Sequence, residues 1–212
     1  MDRTRPVIAL VVPCYNEQEV LPSTAATLGK LLDTMLAEEL ISDKSFVMFV
    51  NDGSHDNTWQ IITALHAGDK RFKALSLAHN RGQQAAMLAG LMTVREMSDA
   101  AITIDADMQD SPDAAIEMVR KFKDGADIVY GVRASRASDS WFKRSSARAF
   151  YSMQQHMGLE TIYDHSEFRL MGRKSLDILA QYGESNLYLR GIMTNIGLRT
   201  DIVTYDRAPR TA

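Results

Sequence analysis

Short apolar runs rich in β-branched residues alternate along the chain with longer segments whose apolar positions recur every three or four residues. The runs VIALVV (7–12), FVMFVN (46–51), KALSLA (73–78), AAITID (100–105) and DIVYGV (127–132) predict strands. Segments near 18–38, 57–67, 83–97 and 113–123 predict amphipathic helices between them. This rhythm predicts an α/β fold, a mostly parallel central sheet with helices on both faces. The runs are almost continuously apolar, as strands are when both sheet faces are covered.

In such sheets ligands gather outside the carboxyl ends of the strands. Each predicted strand runs into polar residues there: PCYNE (13–17), NDGSHDNT (51–58), HNRG (79–82), DADMQ (105–109) and RASR (133–136). Five such ends on one rim predict a site more strongly than any one motif does. Beyond residue 133 the pattern changes to a basic, helical stretch reaching about 157, the segment YDHSEFRLMGRKSLDIL (163–179), a second helical region near 185–196 and a late strand TDIVTY (200–205). These are expected to close the site from one side. With no internal repeat, low-complexity tract or Gly/Pro-rich linker, residues 1–212 read as a single catalytic-sized domain.

Composition narrows the picture. With 45% hydrophobic and 24% charged residues, the chain has the make-up of a soluble globular protein. A net charge of -3 gives no general affinity for nucleic acid, so any anion must be held by a local cluster. One such cluster lies in RASRASDSWFKRSSAR (133–148), where five basic residues face the single acid Asp139. The lone cysteine, Cys14, excludes an intrachain disulfide scaffold and is compatible with a reducing compartment, as a small buried hydrophobe. The N-terminal apolar run is short and cut by Pro13, which argues against a signal peptide. No stretch approaches the roughly 18 apolar residues of a membrane span, so membrane contact is expected to be peripheral.

The candidate chemistry starts at IDADMQDSP (104–112). Alternate residues of an extended segment point the same way, so Asp105 and Asp107 can converge, and a hard cation relieves their repulsion. Gln109 adds a neutral oxygen. A site with few protein ligands suits Mg²⁺ or Mn²⁺, which keep positions open for substrate phosphates. Two other readings fit the same letters: an acidic turn with Asp110 or Ser111 capping the next helix, and a phosphatase-type nucleophile, although that motif normally ends the first strand. VVPCYNE and VNDGSHDNT suggest a nucleoside pocket. Asp52 can accept from a base imide, Tyr15 offers a ring and Gly53 permits a tight turn; a plain Asp-Gly turn with Asp56 as a helix cap is the alternative.

VVPCYNEQE, VNDGSHDNT, HNRGQQAAMLAGL, IDADMQDSPD, VYGVRASR and YDHSEFRLM occur in the order and spacing of family 2 glycosyltransferases with a GT-A fold. The chain resembles the branch that moves a sugar from a nucleotide to polyprenyl phosphate, such as the dolichyl-phosphate mannose synthases and bactoprenol glucosyltransferases, from about residue 6 to 207. The resemblance implies that Pro13, Tyr15, Glu17 and Asp52, with Asp105 and Ala106, line the nucleotide pocket. It implies that Asp105, Asp107 and Gln109 hold the metal, and that Arg133, Arg136, Arg148 and Arg190 contact phosphate groups of donor or acceptor. The implied partners are a nucleotide-sugar donor and a polyprenyl-phosphate acceptor at the cytoplasmic membrane face; a homo-oligomer is left open.

Acceptor chemistry separates the readings. A phosphomonoester with a second pKa near 6 is largely dianionic at neutral pH, so it requires cationic positioning more than a base. Arg133 and its basic neighbours meet that need. A sugar or protein hydroxyl would require a carboxylate base, for which Glu167 and then Asp164 are the candidates. A non-catalytic nucleotide-sugar-binding module is the third reading. Relatives commonly carry Asn and Asp at the positions of Asp164 and Glu167, and an aromatic and a basic residue at those of Arg81 and Gln83. The Q-x-x-R-W motif of processive polysaccharide synthases is missing. Relatives also continue past the equivalent of YDRAPR into amphipathic and membrane-spanning helices, a region expected to be absent from this chain. Trp141 and Phe142, beside Lys143 and Arg144, suit either a membrane interface or core packing.

Overall fold

A computed structural model describes residues 3–133, 165–182 and 197–206. Strands β1 (Ile8–Cys14), β2 (Phe46–Asn51), β3 (Phe72–Ser76), β4 (Ala100–Thr103) and β5 (Ile128–Arg133) fall where the apolar runs predict them. Helices α1 (Leu21–Ala37), α2 (Thr58–Gly68), α3 (Gln83–Val94) and α4 (Pro112–Lys123) fill the intervals. Beyond them come β6 (His165–Gly172), α5 (Arg173–Leu179) and β7 (Thr200–Tyr205). The helical readings near 134–157 and 185–196 lie outside the described residues.

The seven strands form one sheet in the order β3-β2-β1-β4-β6-β5-β7. All neighbours pair in parallel except β6, which is antiparallel to both β4 and β5. Residues 165–172 therefore thread into the middle of the sheet. Open edges of β4 and β5 supply the physical reason: their backbone groups need partners when buried. The alternation in SEFRLM presents Phe168 and Leu170 to one face and Met171 to the other.

Alternation along β1 divides the core in two. Ile8, Leu10 and Val12 pack with buried residues of α1 and α4 and with Ile62 of α2. Ala9 and Val11 face the opposite way, onto Met87 and Leu91 of α3, within a cluster that also holds Leu176 and Leu179 of α5. Helix α3 sits unusually close: a Cβ at Gly90 would lie 2.5 Å from Val11 Cγ1 and 2.8 Å from Val50 Cγ2. Glycine is required there because no side chain fits between helix and sheet.

Two chain reversals meet between β1 and β4, since β2 and β3 extend the sheet one way from β1 while β4 lies on its other side. A crevice outside the strand ends is expected at such a switch point. Its opening has a local cause. Val11 accepts from the Ile104 N–H, and the next rung of a parallel ladder would run from the nitrogen of residue 13 to the Ile104 carbonyl. Residue 13 is proline and has no N–H, so pairing stops and the two strands separate.

Candidate active site

The crevice holds a cavity of about 430 Å³ lined by Pro13, Cys14, Tyr15, Glu17, Asp52, Asn80, Gly82, Gln83, Asp105, Ala106 and Asp107. Seven of these were named from the sequence as nucleotide or metal contacts, and the fold brings them to one wall. Cys14, Asn80, Gly82 and Gln83 were not.

The loops after β1 and β2 are joined by side chains bonding to backbone. Asn16, held at a left-handed φ of 55°, donates its N–H to Ser54 Oγ, while its own Oδ1 accepts from the His55 N–H at 2.9 Å. The Glu17 N–H donates to Thr58 Oγ1 at 2.8 Å, and the Gln18 N–H to Asp56 Oδ2 at 3.2 Å. The Tyr15 ring meets His55 edge to face with centroids 6.4 Å apart. This stitching holds the half-exposed Tyr15 and Glu17 at the cavity mouth.

Asp52 is buried, and its two oxygens accept from the N–H groups of Arg81 at 2.7 Å and Gly82 at 2.8 Å. Its carboxylate thus fixes the turn that leads into α3, a positioning task that the sequence reading of a base contact does not include. Gly53 completes the joint: a Cβ there would stand 2.5 Å from both the Asn80 nitrogen and the His79 carbonyl carbon.

Strand β4 ends at Thr103, two residues earlier than the apolar run suggests, so Asp105 and Asp107 are not alternate residues of an extended strand. They belong to a turn in which the Met108 N–H donates to the Asp105 carbonyl at 3.2 Å and Met108 takes a left-handed φ of 49°. Three elements anchor this turn. Thr24 of α1 donates to the Ala106 carbonyl at 2.6 Å, Gln83 of α3 donates to Asp105 Oδ1 at 2.7 Å, and Tyr205 of β7 donates to buried Asp110 at 2.5 Å. Phe168 supports Tyr205 edge-on, with centroids 5.3 Å apart. Gln109 is buried and does not line the cavity, so of the three residues expected to hold the metal Asp105 and Asp107 reach it.

Electrostatics single out Asp105. Burial raises its pKa first, followed by the negative charges of Asp110, Asp107 and Glu167, with Arg133 opposing; the result is about 6. Among the described residues no three His, Cys, Asp or Glu side chains form a cage for a metal ion. A crowded acid cluster with two carboxylates facing open space nevertheless fits a divalent cation that keeps most of its coordination for water and phosphate.

Glu167 lies on β6 because that strand runs antiparallel and delivers its N-terminal half to the rim. Its carboxylate is ion-paired with Arg169, itself 1% exposed, at 2.5 Å, and accepts from Gln84 at 3.4 Å. Thr103 donates to the Glu167 carbonyl. Arg133 ends β5 close enough to lower the pKa of Asp105. Asp164, Arg136, Arg148 and Arg190 lie outside the described residues. Asp110, read from the sequence only as an alternative helix cap, instead accepts from Tyr205, and the helix has no side-chain cap. Arg169 and Tyr205 escaped sequence reasoning; the one available signal was a charged residue inside an otherwise alternating strand pattern at 169.

A sheet of this order, with a carboxylate turn at its switch point, defines a GT-A glycosyltransferase domain. A solved mannosyltransferase from Pyrobaculum calidifontis, in complex with GDP-Man and Mn²⁺, superposes with a TM-score of 0.61 at 18% identity over 98% of this chain and 59% of its own. The chain belongs to Glycosyl transferase family 2, whose family model matches residues 9–190. It is 43% identical over its full length to an uncharacterized glycosyltransferase, YkoT, of Bacillus subtilis, covering 63% of that protein. It is 37% identical over 97% of its length to the prophage bactoprenol glucosyl transferase homolog of Escherichia coli, covering 65% of it. The chain thus spans just under two thirds of these curated relatives. Among the described residues no helix is long and apolar enough to cross a membrane.

Proposed function

We propose that this chain is the catalytic domain of an inverting hexosyltransferase that moves glucose from UDP-glucose to polyprenyl phosphate at the cytoplasmic membrane face. The observation that carries the reading is the meeting of Tyr15, Asp52, Asp105 and Asp107 in one 430 Å³ cavity. Support for the acceptor comes from the relative named as a bactoprenol glucosyl transferase homolog, and for Mg²⁺ or Mn²⁺ from the Mn²⁺-bound mannosyltransferase of the same fold.

In this reading Tyr15 and Asp52 take the base and Asp105 and Asp107 hold the cation against the donor diphosphate. When bound, the cation supplies Lewis-acid stabilisation of the departing nucleoside diphosphate. Arg133, with Arg136, Arg148 and Arg190, positions the acceptor phosphate. A phosphate oxygen attacks the anomeric carbon from the face opposite the diphosphate, so one C–O bond forms as the other breaks and the configuration inverts. No proton need be removed from a dianionic acceptor. The ion pair with Arg169 favours this reading over hydroxyl transfer, because it turns a Glu167 oxygen toward a buried guanidinium rather than toward an acceptor hydroxyl.

The test is product analysis with radiolabelled UDP-glucose, Mn²⁺ and short-chain polyprenyl phosphate. Label in an organic-extractable, acid-labile product supports the proposal. Label in a water-soluble glycoside with UDP released refutes the acceptor and favours Glu167 or Asp164 as base. Donor binding without UDP release refutes catalysis and leaves a nucleotide-sugar-binding module.

A further inference from the structure

The two glutamines that open α3 stand beside the acid cluster, one to each acid. Gln83 donates its side-chain amide to Asp105 Oδ1 at 2.7 Å, and Gln84 donates to Glu167 Oε1 at 3.4 Å. Among the described residues Gln83 is the one hydrogen-bond donor to the Asp105 side chain. Gln83 is exposed on the cavity wall and belongs to neither core cluster, so packing gives no reason for it. Where the family resemblance leads one to expect a basic side chain, position 83 carries an uncharged amide.

We propose that Gln83 is a positioning residue that fixes the carboxylate of Asp105, and that its neutrality leaves the charge of the acid cluster to be met by the divalent cation. The inference rests on the metal-dependent donor site proposed above. An aspartate side chain turns about two torsions, and a short bond to one oxygen selects one orientation. That bond occupies one lone-pair direction of Oδ1 and leaves the remaining carboxylate positions for a cation. A lysine at the same place would fix Asp105 equally well, but would cancel about one unit of the negative charge that attracts the metal. Outer partners that orient metal-binding carboxylates in this manner typically govern affinity by about 10- to 100-fold.

The experiment measures Mn²⁺ affinity by electron paramagnetic resonance in the presence of saturating UDP. It compares the wild type with Gln83→Met, which keeps volume and removes the donor, Gln83→Lys, which keeps a donor and adds charge, and Asp105→Asn as the control. Melting temperatures confirm that each variant folds, which the exposure of Gln83 favours. The expected result is Mn²⁺ binding about 10-fold weaker in Gln83→Met. In Gln83→Lys it is weaker at low salt and partly restored at high salt, because added ions screen the repulsion. Wild-type affinity in Gln83→Met overturns the positioning role while leaving the donor site intact. Wild-type affinity in Gln83→Lys overturns the role of neutrality. Equal Mn²⁺ binding by wild type and Asp105→Asn overturns both the inference and the metal reading beneath it.

Discussion

Replacing Asp105 by Asn should make the metal-free protein more stable, not less. Burial and the neighbouring acids raise the Asp105 pKa from 3.8 to about 6. A raised carboxylate pKa means that the folded state holds the proton more tightly than the unfolded chain, so ionising the group costs stability. The cost is absent below about pH 4, where both states are protonated. It grows between pH 4 and 6 and is fully present above pH 6. Roughly two pKa units at about 1.4 kcal/mol each give about 3 kcal/mol. Asn removes the charge and keeps an oxygen for the Gln83 amide, so it recovers most of this. For a chain of this size each kcal/mol shifts the melting temperature by about 2–4 °C, which predicts a gain of about 6–12 °C at pH 8 that falls to about a third of that near pH 4.5 and vanishes below pH 4. The assay is thermal unfolding followed by circular dichroism in EDTA across that range. Saturating Mn²⁺ should then raise the wild type and leave Asp105→Asn unmoved. A variant no more stable than the wild type at pH 8, or a difference that ignores pH, would refute the crowded-acid argument.

Other outcomes follow from the same geometry. Asp107→Asn should abolish metal-dependent turnover with the melting temperature nearly unchanged, and wild-type activity in that variant would remove the metal role assigned to Asp107. Asp52→Asn places an amide where two backbone N–H groups need an acceptor, so it should cost about 1–3 kcal/mol in urea unfolding and weaken UDP binding measured by calorimetry. Glu167→Gln breaks an ion pair to a buried arginine and should cost about 3–5 kcal/mol by the same unfolding measurement; unchanged stability would mean the pair is not formed. Gly90→Ala forces a methyl against Val11 and Val50 and should cost about 1–3 kcal/mol, seen as a lower urea midpoint with an unchanged slope.

The shared lining of the cavity was legible because its residues directly follow apolar runs: once β1, β2 and β4 are read, Tyr15, Asp52 and Asp105 must share a rim. The bounds of β2 and β7 coincide with their runs because polar residues stop both patterns abruptly. The place of β6 was not legible, since one alternating segment can flank a sheet or insert into it, and only long-range pairing decides. Asp105 and Asp107 share a turn closed by the Met108 N–H on the Asp105 carbonyl, and the left-handed φ of Met108 is a conformation that no local preference of methionine announces. The partnership of Asp110 with Tyr205 joins residues 95 positions apart, and Arg169 is recognisable as a buried cation only after Glu167 is placed beside it.

Proline at position 13 acts at a distance as well as at its own rung. A parallel sheet behaves like a zipper: each rung made brings the next donor and acceptor into register, so β1 and β4 would tend to close over the ground between them. Exchanging one tooth for a ring methylene stops the slider and leaves the space beyond it available. The cavity is thus kept open by a donor that residue 13 lacks, and the ring that replaces it becomes part of the cavity's own lining.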